Sequence, residues 1–330
     1  MNPFKKLRAI RDVIQQDIGN RGLARDPGDN LVNACPDDFE DACGVIAATP
    51  EPRLLIVTGF HIATASPPAS ETDGPLGAVY LARALSSHGC RFRILSDGTA
   101  MRAMAAAFRK LALIGTVRLE SLLSDGNVYR QLDLELLQPP DESLPWEQAV
   151  ANLDEKLDKS PVHWADQIIA IERVGPSQQD ARCYTMRGRD ISDATKPAHV
   201  LFESACSGNT IGIGDGGNEI GMGKIPWDTI RRNIPNGELI ACRVPTDYLI
   251  VAGVSNWGAY ALAAGVALLR GVELPAELFD PDREREILQV MVDAGPLVDG
   301  VTGKQEATVD GLSWDDYIKP LVEIGKIVRS

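Results

Sequence analysis

Between residues 53 and 270, short apolar runs alternate with segments of helical period. Arg53-Leu-Leu-Ile-Val-Thr-Gly59 is a brief apolar run closed by glycine, the mark of a strand buried on both faces. Gly74 to His88 follows, with apolar residues at 76, 79, 80, 84 and 85, the spacing of a helix face. Arg91–Asp97 and Thr99–Leu111 repeat the pair. Further strands are expected at Val117–Leu119, within Ala165–Glu172, and at Thr210–Ile213, Leu239–Val244 and Tyr248–Val254. Helices are expected at Trp146–Leu157, Ala198–Cys206, Asn256–Arg270, Asp282–Ala294 and Ser313–Val328, the last kinked at Pro320. Strands joined through helices build parallel sheets, because a parallel crossover needs a long connection. The expected fold is therefore α/β: a Rossmann-like three-layer sandwich with a mostly parallel sheet of at least five strands. Residues 1–50 read as an N-terminal helical extension, helical over Phe4–Ile18 and irregular over Gly19–Asp41. Residues 51–330 read as a single α/β domain, with polar, Pro-containing Leu122–Pro145 as an excursion from it.

The stretch Leu249 to Leu269 is long enough to be taken for a membrane span. It carries Ser255-Asn256 and glycines near its middle, so it reads as a buried strand, a turn and a buried helix. The formal net charge of −13 argues against nucleic-acid binding and against an anionic membrane surface. Such a chain can bind a small anion only through a local cluster of Arg or Lys. The six cysteines contain no C-x-x-C pair and read as buried thiols of a reducing compartment. The N-terminus is basic, but no apolar run follows it. The expected location is the cytoplasm, or the mitochondrial matrix if the source is eukaryotic. Homo-oligomerisation is left open.

The most concentrated chemistry lies in Gly212-Ile-Gly-Asp-Gly-Gly-Asn-Glu-Ile-Gly-Met-Gly-Lys224, where six glycines fall within thirteen residues. Glycines let a backbone approach a ligand closely, and the bared N–H groups of Gly214, Gly216 and Gly217 can cradle an anion. Asp215, Asn218, Glu219 and Lys224 stand on that frame. Gly212-x-Gly214-x-x-Gly217 matches the dinucleotide fingerprint in its letters, but Pro226 interrupts the helix that should follow. A phosphate-binding Walker loop fails too, since Ile225 follows Lys224 where Ser or Thr is required.

Other candidates gather at the carboxyl ends of expected strands, where open α/β sheets bind ligands. Glu71-Thr-Asp-Gly-Pro75 follows the first strand; Thr72 or Asp73 also suits a helix cap, which leaves Glu71 the freer carboxylate. Asp97 closes the second strand. Arg173 and Arg187 are the cations suited to an anionic ligand, because guanidinium binds carboxylate in a bidentate fork. Ser255 and Asn256 sit at a strand-to-helix turn, where a helix N-terminus can receive a carboxylate.

Together, Thr58-Gly59-Phe60, Glu71-Thr-Asp-Gly-Pro75, Ile171-Glu-Arg173, Tyr184, Met186-Arg-Gly188 and the glycine run resemble the D-glutamate cyclase family, in its C-terminal-type domain. The resemblance covers roughly residues 30 to 325. It implies cyclisation of free D-glutamate to 5-oxo-D-proline with loss of water. Animal members carry an additional N-terminal hydro-lyase-like domain, for which 330 residues leave no room. Asp180-Ala-Arg-Cys183 also lacks the Asp-Gly expected before the tyrosine.

Closing the lactam requires a deprotonated amine, a bent γ-carboxyl group and a protonated leaving oxygen. Asp215 and Glu219 are candidates for the acid/base pair, and Glu71 or Asp73 for holding the ammonium group. Arg173, Arg187 and Lys224, with the loop N–H groups, are candidates for the two carboxylates. Alternatively, Asp73, Asp97, Asp215 and Glu219 gather around a divalent cation such as Mg²⁺ or Mn²⁺, although no cofactor is required by the sequence. Two other classes fit these residues: a metal-dependent hydrolase or phosphatase of a small anionic metabolite, and a non-catalytic amino-acid or nucleotide sensor.

Overall fold

The computed structural model describes residues 2–96, 98–113, 134–137, 164–203 and 210–330. Its six-stranded sheet contains β1 (Arg53–Thr58), β2 (Arg91–Leu95), β3 (Leu134–Leu137), β4 (Gln167–Ile171), β5 (Thr210–Gly214) and β6 (Tyr248–Val251). The order across the sheet is β3-β2-β1-β4-β5-β6, and every neighbouring pair is parallel. That is the order of doubly wound dinucleotide-binding sheets, with its switch point between β1 and β4. Chain connections leave the two central strands in opposite directions there, so a crevice opens beyond their carboxyl ends.

The larger helices are α1 (Pro3–Ile14), α2 (Asp38–Ala48), α3 (Pro75–Leu85), α4 (Gly98–Leu113), α5 (Trp227–Asn233), α6 (Ser255–Arg270), α7 (Pro281–Ala294) and α8 (Trp314–Arg329). Side chains alternate across the sheet as the pleat requires. Along β1, Leu54 and Ile56 enter one core, which also holds buried residues of α1–α4 and α6–α8. Leu55 and Val57 enter the other, covered by α5, by short helical turns at Leu31–Ala34, His199–Glu203 and Gly237–Ile240, and by the glycine run. The three-layer α/β reading holds.

Helix α6 is the centre of the thicker layer, touching α1, α2, α3 and α8. Its Ala- and Gly-rich face permits that approach. Residues 1–50 pack into the same core: Leu7, Ile10, Ile14, Phe39 and Ile46 are all buried against it. The stretch 249–269 is indeed a strand, a turn and a helix. Among the described residues, no helix is long and apolar enough to cross a membrane.

Three local expectations are corrected. Leu239–Val244 is not a strand: Gly237–Ile240 is a helical turn, and the chain after it runs against the glycine run, with Gly217 O accepting from Cys242 N. A run this short cannot be separated into helix or strand by periodicity. The stretch 19–41 is not wholly irregular, since Leu31–Ala34 is helical and α2 begins at Asp38. The polar excursion contributes the edge strand β3. The expected strand Val117–Leu119, the helix Trp146–Leu157 and Asp97 lie outside the described residues.

Candidate functional site

Beyond the switch point lies a cavity of about 330 Å³. Glu71, Glu172, Asn218 and Asp310 line it with buried side chains, joined by Arg21; the exposed Arg187 and Arg189 also line it. Each acid arrives by a different route. Glu71 follows the short ladder that pairs His61–Ile62 with Ala69–Ser70 after β1. Glu172 is the residue after β4 and Asp215 the residue after β5. Asp310 comes from the loop before α8. Glu172 (φ +46°) and Asp310 (φ +56°) both adopt left-handed backbone, which non-glycine residues rarely do. Such strain tends to collect where geometry serves a ligand.

Arg21 is held by local chemistry. The Asp17 carboxylate accepts from the N–H groups of Arg21, Gly22 and Leu23 at 2.8, 2.8 and 3.0 Å, folding the chain into a tight turn. The guanidinium then pairs with Asp215 and, at 2.7 Å, with Asp310. Burial works against its charge, but Asp215, Asp310, Glu172 and Asp73 together hold it protonated more firmly than an ordinary arginine.

Asp73 and Asn256 exchange caps between two helices. Asp73 accepts from Ser255 N at 2.9 Å and Asn256 N at 2.8 Å, at the start of α6. Asn256 Oδ1 accepts from Gly74 N at 2.9 Å and Gly77 N at 2.7 Å, at the start of α3. Asp73, which together with Thr72 suited a cap of its own helix, also accepts from Gly74 N at 3.0 Å, but its other bonds cap α6. The side chains therefore fasten the Glu71–Gly74 loop to α6. Ser255 Oγ donates to Glu172 Oε2 at 2.6 Å.

Many amides of the glycine run are spent within the protein. Gly217 N donates to Glu219 Oε2 at 2.8 Å, and Asp215 N to Oε1 at 3.4 Å, so Glu219 is the loop's own anion. The amides of Ile220, Gly221 and Gly223 donate to backbone carbonyls of Arg173 and Val244. Glycine is needed for contact instead: a Cβ on Gly212 would lie 2.7 Å from Gly221 Cα. Gly214, Gly216, Gly217, Ser255 and Asn256 thus build the wall without lining the cavity.

Two expected cations lie elsewhere. Arg173 is buried, donating to Gly59 O at 2.8 Å and Lys196 O at 2.7 Å, and ties loops together behind the cavity. Lys224 bonds Asp38 and Asp247 O, both at 2.5 Å, at the amino end of β6, the end of the sheet away from the site. Arg187 does line the cavity, with Nη2 donating to Val301 O at 3.2 Å. Asp73, Asp215 and Glu219 stand buried behind the acids that line it.

Burial dominates the electrostatics. It raises the Glu71 carboxyl well above the usual range, with Asp310, Asp73 and Asp215 adding to it. Burial and then Glu219, Asp73 and Glu71 do the same to Glu172. Asp73 is pushed up to about 7 by burial and Asp310, against the N–H donors of Asn256 and Ser255 and the charge of Arg21. Burial also raises Asp215 and Asp310, each opposed by Arg21, and Glu219, opposed by the loop amides.

Sequence reasoning missed Arg21, Glu172, Arg189 and Asp310 as site residues. Glu172 had a usable signal, since it closes a buried strand beside an arginine already singled out. Arg189 stands beside the Met186-Arg-Gly188 motif, whereas Arg21 and Asp310 lie in loops with no such mark.

Sheet order and site define an α/β protein with an acid-rich crevice at its topological switch point. The family is more particular: residues 10–324 match the family model "D-glutamate cyclase-like, C-terminal", and the chain belongs to that family. It is 33% identical over 268 residues to the Homo sapiens protein "D-glutamate cyclase, mitochondrial", an alignment covering 80% of this chain and 39% of that protein. The chain thus spans well under half the length of this relative.

Proposed function

We propose that this chain is a hydro-lyase that cyclises D-glutamate to 5-oxo-D-proline and water. The observation that carries the reading is the make-up of the cavity lining, which brings the acids Glu71, Glu172 and Asp310 together with the exposed guanidinium groups of Arg187 and Arg189. Glutamate presents one ammonium and two carboxylates, so it needs acceptors at one end and guanidinium forks at the other. Asn218 Oδ1 and Asp310 Oδ2 are buried acceptors without a protein donor, suited to the ammonium hydrogens. Membership of the D-glutamate cyclase-like family supports the same substrate.

In this reading Arg187 and Arg189 hold the α-carboxylate while the side chain folds back toward the amine. Glu172, raised by burial like Glu71 but with its ionised form favoured by the Ser255 hydroxyl and by Arg21, takes a proton from the ammonium group, and the freed nitrogen attacks the γ-carboxyl carbon. Glu71, kept protonated by its surroundings, protonates one γ-carboxyl oxygen during the attack and takes back the second proton of the attacking nitrogen. Glu172 then hands its proton to the resulting hydroxyl, which leaves as water with both glutamates restored. The acid/base work thereby moves from the glycine run to the two glutamates that line the cavity. Fixing a near-attack geometry supplies much of the acceleration for such an intramolecular closure. The test is incubation of the purified chain with D- or L-glutamate and separation of products on a chiral column. Formation of 5-oxo-D-proline from the D-enantiomer is expected; folded protein that converts neither enantiomer overturns the reading.

A further inference from the structure

We propose that Asp73, Glu172 and Asp215 form a binding site for one divalent cation, Mg²⁺ or Mn²⁺, directly beneath the substrate cavity. Each offers a carboxylate oxygen, and the three oxygens lie within 4.8 Å of one another. Two oxygens bound to one ion stand about 3–5 Å apart, given ion–oxygen distances of ~2.0–2.6 Å. The donors are all hard oxygens, which favours Mg²⁺ or Mn²⁺ over zinc or copper.

A cluster of acids alone would prove little. The second observation is Asp215 Oδ2, which is buried on a fully enclosed residue and accepts no hydrogen bond. A buried carboxylate oxygen left without a donor is costly unless a cation completes it. Arg21 occupies only the other oxygen, Oδ1, and divides its charge with Asp310. Among the described residues, neither Asp73 nor Glu172 forms an ion pair: Asp73 takes backbone N–H donors and Glu172 the Ser255 hydroxyl. A divalent ion would therefore supply the missing positive charge.

The frame is also rigid enough to serve. The ligands follow β1, β4 and β5, three neighbouring strands of which β1 and β4 flank the switch point, and Asp73 is clamped by the start of α6. Glu172 belongs to both the cation site and the cavity wall. An ion there would neutralise the acids behind the pocket and fix Glu172 against the substrate.

The experiment uses the full chain, stripped with a chelator and titrated with Mn²⁺ at neutral pH, free Mn²⁺ being read by its electron paramagnetic resonance signal. One bound Mn²⁺ per chain is expected, displaced by Mg²⁺. Asp73→Asn, Glu172→Gln and Asp215→Asn should each weaken binding about tenfold or more. Arg21→Gln should tighten it severalfold, because the guanidinium and the ion compete for Asp215. Wild-type protein that binds no Mn²⁺ overturns the site, as does unchanged affinity in the folded acid variants or in Arg21→Gln. Binding is read without substrate. A chain that makes 5-oxo-D-proline without holding Mn²⁺ therefore overturns this site alone, and one that holds Mn²⁺ but makes no product overturns only the cyclase reading.

Discussion

Gly300 shows how closely the cavity is fitted around Glu71. A Cβ at position 300 would lie 1.7 Å from Glu71 Oε2, so the carboxyl rests against bare backbone. In Gly300→Ala the flexible end of Glu71 must swing away, while the surrounding backbone stays in place. Turnover of D-glutamate is expected to fall by ~10²-fold, the range for a displaced acid or base, with little change in melting temperature. A variant equal to the parent in steady-state kinetics would remove Glu71 from the chemistry. Single residues were the hardest level to read from the chain. Glu71 and Asn218 were legible because they stand in dense motifs. Arg21 was not, because what makes it functional is the pairing with Asp215, 194 positions away, and with the still more distant Asp310. Lys224 misled for the converse reason: its place in the glycine run suggested a site, yet a turn carries it to Asp38.

Helices α3 and α6 pack against each other with their first turns together at the site, and their exchanged caps bind loop to core. Asn256 also donates to Tyr317 Oη at 3.1 Å, which bonds Tyr260 Oη at 2.7 Å, and Tyr260 reaches Glu284 at 3.1 Å. Glu284 in turn pairs with Arg83 at 2.8 Å, so a buried polar chain runs from α3 through α7 and α8 back to α6. Asn256→Ala removes the α3 cap and opens this chain. A loss of about 1–2 kcal/mol is expected in denaturant unfolding, and a variant as stable as the parent would show the cap to be dispensable. A second junction joins the starts of β1 and β4. Asp166 accepts from Arg53 Nε at 3.1 Å, Nη2 at 2.9 Å and its backbone N at 2.9 Å. Those bonds, the Arg53 side chain first, hold the Asp166 carboxyl below its usual value. A depressed carboxyl stabilises the fold above the unfolded pKa and loses that effect as pH falls through the folded one. Asp166→Asn should therefore melt below the parent above roughly pH 5, with the gap closing below about pH 4. A gap independent of pH would contradict this. Strands at this level were legible as apolar runs ending in Gly, Ser or an acid. The 237–244 segment was not, because its shape is dictated by the glycine run it packs against.

Across the whole molecule, the N-terminal residues are part of the machine. Leu7, Ile10 and Ile14 of α1 are fully buried against the core, and the turn that follows delivers Arg21 to the acids. Ile10→Ala is expected to cost about 2–5 kcal/mol by calorimetry or denaturant unfolding, far more than trimming an independent appendage would. The alternation of strands and helices announced the parallel sheet, but the order β3-β2-β1-β4-β5-β6 depends on which crossovers turn back, which no local pattern records. The central claim is that D-glutamate closes within the switch-point cavity, between the glutamates and the rim arginines. A crystal structure with 5-oxo-D-proline bound tests it most directly. The product should lie in the cavity, with its carboxylate on Arg187 and Arg189 and its lactam nitrogen toward Asn218 and Glu172. Product bound anywhere else on a chain that turns over D-glutamate would contradict the account.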